Sequence, residues 1–487
     1  MQFSEQPADI LARLEELRAA DAPTHGGHVL SYVYDSGLAE LDELAAAAIR
    51  AVQPVNGLDP TTFTSVAVME GEVVGFAREL LGGGSDVVGS VTTGGTESCL
   101  LAVKTARDVW RASRASASKV PRLLAPVTVH AAFQKAAHYF GLTLDLVPVE
   151  PDGRVDADTL IARMGPDVAL VVVSAPSYPH AALDPIEAVA AAAAERGLAC
   201  HVDACIGGWV LPFWSGLPAW DFRVPGVTSI SADLHKFGYA PKGVSVLLQR
   251  GRDRQRAQFF ATTRWPGYPV VNPTMLGSKS AGALAAGWAI THALGRDGLA
   301  ALAESCERST RALIELVGSI EGLRVVGSPV GPLLAVATDA TAPADRQVDP
   351  HHWADQVRAH GWLLQLQPGL AQTDGSVLPH TTHLTVTPVT EAVLPELSAA
   401  LVAAADEVRG VPAVSAADVL AGASLPEGPL DSETAFAILQ GFGLGGGGGA
   451  LPERMAPVLA LVGALPAPLT ERLLTELIAR VVEPPAG

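Results

Sequence analysis

SISADLHKFGYAPKG, residues 229–243, is the stretch from which the rest of the chain is best read. A short strand, TSISA, runs into a turn, and the turn carries the pair His235-Lys236. A lysine that is to form a Schiff base must lose its proton near neutral pH and must be held still. A buried turn at a strand end offers both. Taken alone, the same pattern fits a surface lysine that happens to follow a strand, so the neighbouring motifs must carry weight.

Working outward, HVDACIGGW (201–209) ends a buried apolar strand on Asp203. A carboxylate there is costly without a cationic partner, and a protonated pyridine nitrogen is one such partner. The commoner explanation of a lone strand-end Asp is a cap on the next turn. TTGGTES (92–98) brings two glycines, Gly94 and Gly95, into a helix expected to begin near Thr96. Backbone N–H groups at a helix start, with a hydroxyl beside them, form an anion site suited to a phosphate. In HAAFQKAAHYFGL (130–142), His130 is expected to close the strand LLAPVTVH and open a helix. An imidazole there can stack on a ring, or simply cap the helix.

Phosphate loop, histidine, aspartate and lysine follow one another in that order. This is the order of aspartate-aminotransferase-type (fold type I) enzymes that use pyridoxal 5′-phosphate. The chain resembles the sphingosine-1-phosphate lyase family within the group II pyridoxal-phosphate decarboxylase superfamily. The resemblance rests on TTGGTES, HAAFQKAAHYFG, SAPSYPHAALDPI (174–186), HVDACIGGW and FRVPGVTSISADLHKFGYAPKG (222–243). It runs from about Gly27 to residue 405.

The resemblance implies that Lys236 carries the cofactor as a Schiff base, that Asp203 pairs with the pyridinium and that His130 stacks on the ring. It also implies that Gly94, Gly95, Thr96 and His235 hold the cofactor phosphate, with Cys205 among the cofactor contacts. Gly277 and Ser278, in MLGSKSAG, would reach that phosphate from a second subunit, so a homodimer with shared sites is expected. The reaction implied is cleavage of a phosphorylated amino alcohol into an aldehyde and phosphoethanolamine. Tyr34 in HVLSYVYDSG and Lys242 in APKG resemble family residues that meet the substrate. Two positions depart from the pattern. Asp59, in NGLDPTTF (56–63), stands where the family has a histidine that meets the substrate phosphate. Val270, in WPGYPVVNPT (265–274), stands where it has a tyrosine, with Tyr268 nearby. A carboxylate repels a phosphate. An L-amino-acid decarboxylase acting on a substrate without a phosphate is therefore the alternative.

Bulk properties agree with a large α/β enzyme. The 487 residues are 48% apolar and 17% charged, with a formal charge of −18. The acidic balance disfavours nucleic acid or an anionic membrane surface as the main partner. No apolar run is long enough for a bilayer. Four cysteines, none in a zinc-type spacing, predict no metal site and fit a reducing compartment, so a cytoplasmic location is expected. Buried-strand runs such as VALVVVSA (168–175), separated by helices, predict a mainly parallel seven-stranded sheet in a large domain. The expected divisions are an N-terminal helix and arm (1–84), the large cofactor-binding domain (85–299), a smaller α/β domain (300–409), and a helical extension with a glycine-rich linker, GLGGGGGA (443–450), at 410–487. The stretch 21–37 is either a plain connector or an arm reaching the site.

Overall fold

The computed structural model describes residues 3–113, 120–420, 428, 430–444 and 452–484. Most of the glycine run lies outside them. The centre of the molecule is a seven-stranded sheet: β1 (Val87–Thr92), β2 (Arg122–Pro126), β3 (Thr143–Val147), β4 (Val168–Ser174), β5 (Ala199–Asp203), β6 (Ser229–Ala232) and β7 (Ser245–Arg250). Its order is β1-β7-β6-β5-β4-β2-β3. Only β7 runs against its neighbours; the other pairings are parallel, as expected. Every residue of β4 and β5 is buried, which is what continuous apolar runs produce when helices cover both faces of a sheet.

This topology places the site. β1, β2, β4, β5 and β6 share one direction, so the loops leaving their C-terminal ends gather at one edge. That edge is where open α/β sheets bind ligands. Gly94, His130, Asp203 and Lys236 all lie in those loops or at those strand ends.

The helix Gly282–Ser319 leaves the large sheet and kinks at Gly295 (φ 55°), a left-handed angle that glycine takes without strain. The expected division at 299/300 falls inside this helix. Beyond it lies a four-stranded antiparallel sheet in the order Leu323–Val325, Leu333–Thr338, Thr381–Thr385, Gln365–Gln367. The helices Pro350–Ala359 and Thr390–Val408 pack on it around buried Trp353, whose indole N–H donates to the Leu401 carbonyl at 2.9 Å.

The C-terminal helices Ser432–Gly441, Ala456–Ala464 and Ala467–Val481 have a core of their own, with Leu439, Leu461, Leu473 and Leu477 buried in it. Asp355 ties them to the helix Pro350–Ala359, accepting from the N–H groups of Met455 and Ala456 at 2.8 and 2.9 Å. These are the first N–H groups of a helix, which lack acceptors within it.

Candidate active site

A cleft of about 540 Å³ opens at the sheet edge. Of the residues singled out in the sequence, Tyr34, Gly94, Gly95, Thr96, His130, Asp203, Cys205, His235, Lys236 and Lys242 line it. Lys236 Nζ, half-buried, lies 3.1 Å from Oδ2 of the buried Asp233. Burial is the largest single influence and pulls the Lys236 ammonium down, but the charges of Asp233, Tyr34, Cys205 and Asp203 together outweigh it and the net direction is up. This direction runs against a lysine that loses its proton readily in the cofactor-free chain. Asp233, three residues before Lys236 and 1% exposed, had not been picked out from the sequence.

Asp203 ends β5 with one oxygen, Oδ1, accepting the Cys205 N–H at 3.0 Å. His130 follows a shorter strand than expected. β2 stops at Pro126, because the Val129 N–H turns back to the Pro126 carbonyl at 3.1 Å. The His130 imidazole accepts from the Ala132 N–H at 3.2 Å as a helix cap, and it stays open to the cleft. The phosphate-loop helix starts at Gly95. Buried Glu97 locks this loop by accepting from the Thr93 N–H at 2.6 Å and the Thr93 hydroxyl at 2.7 Å.

The stretch 21–37 is an arm rather than a plain connector. Leu30 N–H donates to Leu363 at 2.8 Å, and Leu30 accepts from Thr385 N–H at 2.7 Å, which fixes the arm to the small sheet. The arm delivers Tyr34, edge-on to Phe237 with centroids 5.2 Å apart. Burial pushes the Tyr34 hydroxyl up to about 12. Lys242 Nζ sits 4.3 Å from the Tyr34 ring centre and donates to the His235 carbonyl at 3.0 Å. Burial, and then the charge of Lys236, bring Lys242 down to about 8. Tyr178, also absent from the sequence reading, completes this wall, stacked on His383 at 4.3 Å.

Asp59, Gly277 and Ser278 are elsewhere. The Asp59 carboxylate accepts from the N–H and hydroxyl groups of Thr61 and Thr62, and these bonds hold it down to about 2. It stabilises its own turn and does not line the cleft of its chain. Gly277 and Ser278 are exposed, and the Ser278 hydroxyl accepts from the Asn56 side chain at 3.3 Å, so the two loops form one surface unit. Val270 and Tyr268 lie outside the cleft as well. The structure also gathers three groups that could bind a metal, Cys99, Asp203 and Cys205, where sequence spacing had predicted no metal site.

Comparison with known proteins decides the family. Residues 53–328 match the pyridoxal-dependent decarboxylase conserved domain. The chain belongs to that family. Residues 412–480 match a C-terminal HTH domain of pyridoxal-dependent enzymes. The chain is 37% identical to sphingosine-1-phosphate lyase of Dictyostelium discoideum over 334 residues, which is 68% of this chain and 61% of that protein. It is 35% identical to sphingosine-1-phosphate lyase 1 of Rattus norvegicus, over 73% of this chain and 61% of that protein. It thus spans about three fifths of the length of these relatives. Among solved structures, sphingosine-1-phosphate lyase of Burkholderia pseudomallei superposes with a TM-score of 0.76 at 33% identity, covering 84% of this chain and 93% of that one. Glutamate decarboxylase of Lactobacillus brevis, 18% identical with a TM-score of 0.73, shares the fold. The fold is that of type I pyridoxal-phosphate enzymes. Among the described residues no helix is long and apolar enough to cross a membrane.

The residues of the cleft fit pyridoxal phosphate. A Cβ added to Gly95 would come 2.5 Å from Asp233 Oδ2 and 3.0 Å from Cys205 Sγ, so the loop backbone is kept bare. The helix start beside it supplies N–H donors to an anion. On the cleft wall His235 Nδ1 and Asp233 Oδ1 are buried without hydrogen-bond partners, polar atoms that a bound cofactor can satisfy.

Proposed function

We propose that the chain cleaves a phosphorylated long-chain amino alcohol of the sphingosine-1-phosphate class into an aldehyde and phosphoethanolamine. The observation that carries this reading is one cleft that joins Lys236, Asp203 and the Gly94–Gly95 loop to a wall of Tyr34, Tyr178 and Lys242. It is supported by the named activity of the relatives. Pyridoxal phosphate, when bound, supplies the electron sink for a bond broken at the substrate Cα. Lys236 would hold the cofactor covalently, and the Asp203 carboxylate would balance the pyridinium. His130 would cover the ring, while Gly94, Gly95, Thr96 and His235 would take the phosphate. Cys205 holds Asp203 in place through its N–H. Tyr34 and Tyr178 narrow the mouth and exclude water. Lys242 is the remaining cation for the substrate phosphate.

We further propose a homodimer in which the Asn56–Asp59 and Gly277–Ser278 loops meet the partner's cleft. Exposed apolar side chains on the same arm, Phe260, Trp265, Tyr268, Val271 and Met275, support a covered surface there. The reading includes a cytoplasmic location, in keeping with four buried, free cysteines.

Product analysis tests the reaction. The cofactor-loaded protein given a phosphorylated long-chain amino alcohol is expected to yield aldehyde and phosphoethanolamine. Carbon dioxide and an amine from an L-amino-acid panel, with nothing from the amino alcohol, would replace this reading with decarboxylation. For Gly95→Ala the added Cβ is expected to weaken cofactor retention on dialysis, with the far-ultraviolet spectrum unchanged. Wild-type retention would show that the phosphate lies elsewhere.

Lys242 gives a pH prediction. Its pKa is depressed to about 8, so the cation is present below that pH and lost above it. KM for the phosphorylated substrate should rise as pH increases through about 8. Lys242→Arg stays charged over this range and should flatten the rise. A rise that persists in the variant would assign the titration to another group.

A further inference from the structure

Two thiols meet on the wall of the cleft. Cys99, in the helix Gly95–Ser113, has its sulfur 3.9 Å from that of Cys205, just past β5. Both are buried and free. A carboxylate oxygen of Asp203 completes a group of three ligand atoms that all lie within 4.8 Å of one another. A tetrahedral zinc ion with Zn–S bonds of about 2.3 Å sets its sulfurs about 3.8 Å apart. A disulfide needs about 2.05 Å. The two thiols thus stand at hydrogen-bond distance, a spacing that two zinc-bound sulfurs also adopt and that a cross-link does not.

The surroundings point the same way. Burial, with the charges of Asp203 and Asp233, raises the Cys99 thiol; the hydrogen bond with Cys99, and then burial, raise Cys205. Thiols held protonated are poor nucleophiles, which disfavours their oxidation. The same carboxylates attract a dication. Lys236, the cation that faces the group, is paired with Asp233 at 3.1 Å. Soft sulfur ligands select zinc or cadmium over magnesium or calcium.

We infer that the cofactor-free protein binds a thiophilic divalent cation through Cys99 Sγ, Cys205 Sγ and the Asp203 carboxylate, and that this metal and the cofactor exclude one another. Both thiol protons leave to solvent as the two metal–sulfur bonds form, water from the cleft takes the fourth position, and no electron is transferred. Exclusion rests on the proposed role of Asp203. A carboxylate whose charge is taken by a dication no longer balances a pyridinium. No sequence spacing announces this site, because its two sulfurs come from segments more than a hundred residues apart.

The test uses full-length protein stripped of cofactor and titrated with cadmium. The expected result is the ultraviolet thiolate-to-cadmium charge-transfer band at about one ion per chain, with release of about two protons. The band should be absent from the cofactor-loaded protein and from Cys99→Ala. In the wild type, zinc at ten times its own Kd should weaken pyridoxal phosphate uptake about tenfold, and a chelator should restore it. This competition needs no variant, so a misfolded Cys99→Ala leaves the test intact. No band in the stripped protein, a band that survives Cys99→Ala, or cofactor uptake indifferent to bound metal would each overturn the proposal. Failure of the metal-free protein to take up pyridoxal phosphate at all would count instead against the proposed function.

Discussion

Lys236→Ala is expected to remove the visible absorbance of lysine-bound cofactor completely and to lower turnover by at least roughly a thousandfold. Two lysines line the cleft, and their electrostatics differ. Lys242 is brought down to about 8, whereas Lys236 is held up by the combined charges of Asp233, Tyr34, Cys205 and Asp203. On acidity alone, Lys242 is the readier nucleophile. Position favours Lys236, which stands between the Asp203 strand end and the Gly94–Gly95 loop, while Lys242 is turned to the His235 carbonyl and the Tyr34 ring. Borohydride reduction of the loaded wild type, followed by peptide mass analysis, should put the pyridoxyl group on Lys236. Absorbance that survives Lys236→Ala, with the label on Lys242, would reverse the assignment.

The parts of this site legible in the sequence were those fixed by local rules. Buried strands ending in Asp203 or in a His-Lys turn have few meanings, and a parallel sheet sends all such ends to one edge. Parts that need two distant segments were not legible. No local pattern marks Asp233, whose role follows only from its carboxylate lying 3.1 Å from Lys236 Nζ. Cys99 gains its meaning only from Cys205. His130 was placed at the end of a strand because LLAPVTVH is apolar throughout, yet residues 127–129 turn, and a run of apolar residues does not distinguish a buried turn from a strand.

Asp59 is the reverse case. Family resemblance puts it at the substrate, while within its own chain DPTT is a turn signal and its oxygens accept from Thr61 and Thr62. The loop bearing it sits beside Gly277 and Ser278, and the proposed dimer is what would bring it to a cleft.

Asp203→Asn separates the two meanings that the sequence allowed for this residue. As a turn cap, Asp203 acts through Oδ1 on the Cys205 N–H, and an amide oxygen can accept the same bond. As the cofactor's partner it acts through its charge, which asparagine lacks. Leaving one member of a buried ion pair uncompensated costs about 3–5 kcal/mol. That corresponds to cofactor affinity weaker by roughly two to four orders of magnitude. The fold should persist, with the melting temperature of the cofactor-free variant close to that of cofactor-free wild type. Equilibrium dialysis against pyridoxal phosphate, read beside that melting curve, decides between the two roles. Near-normal cofactor affinity would make Asp203 a cap alone, and a collapsed melting temperature would assign its charge to the folded chain rather than to the ring.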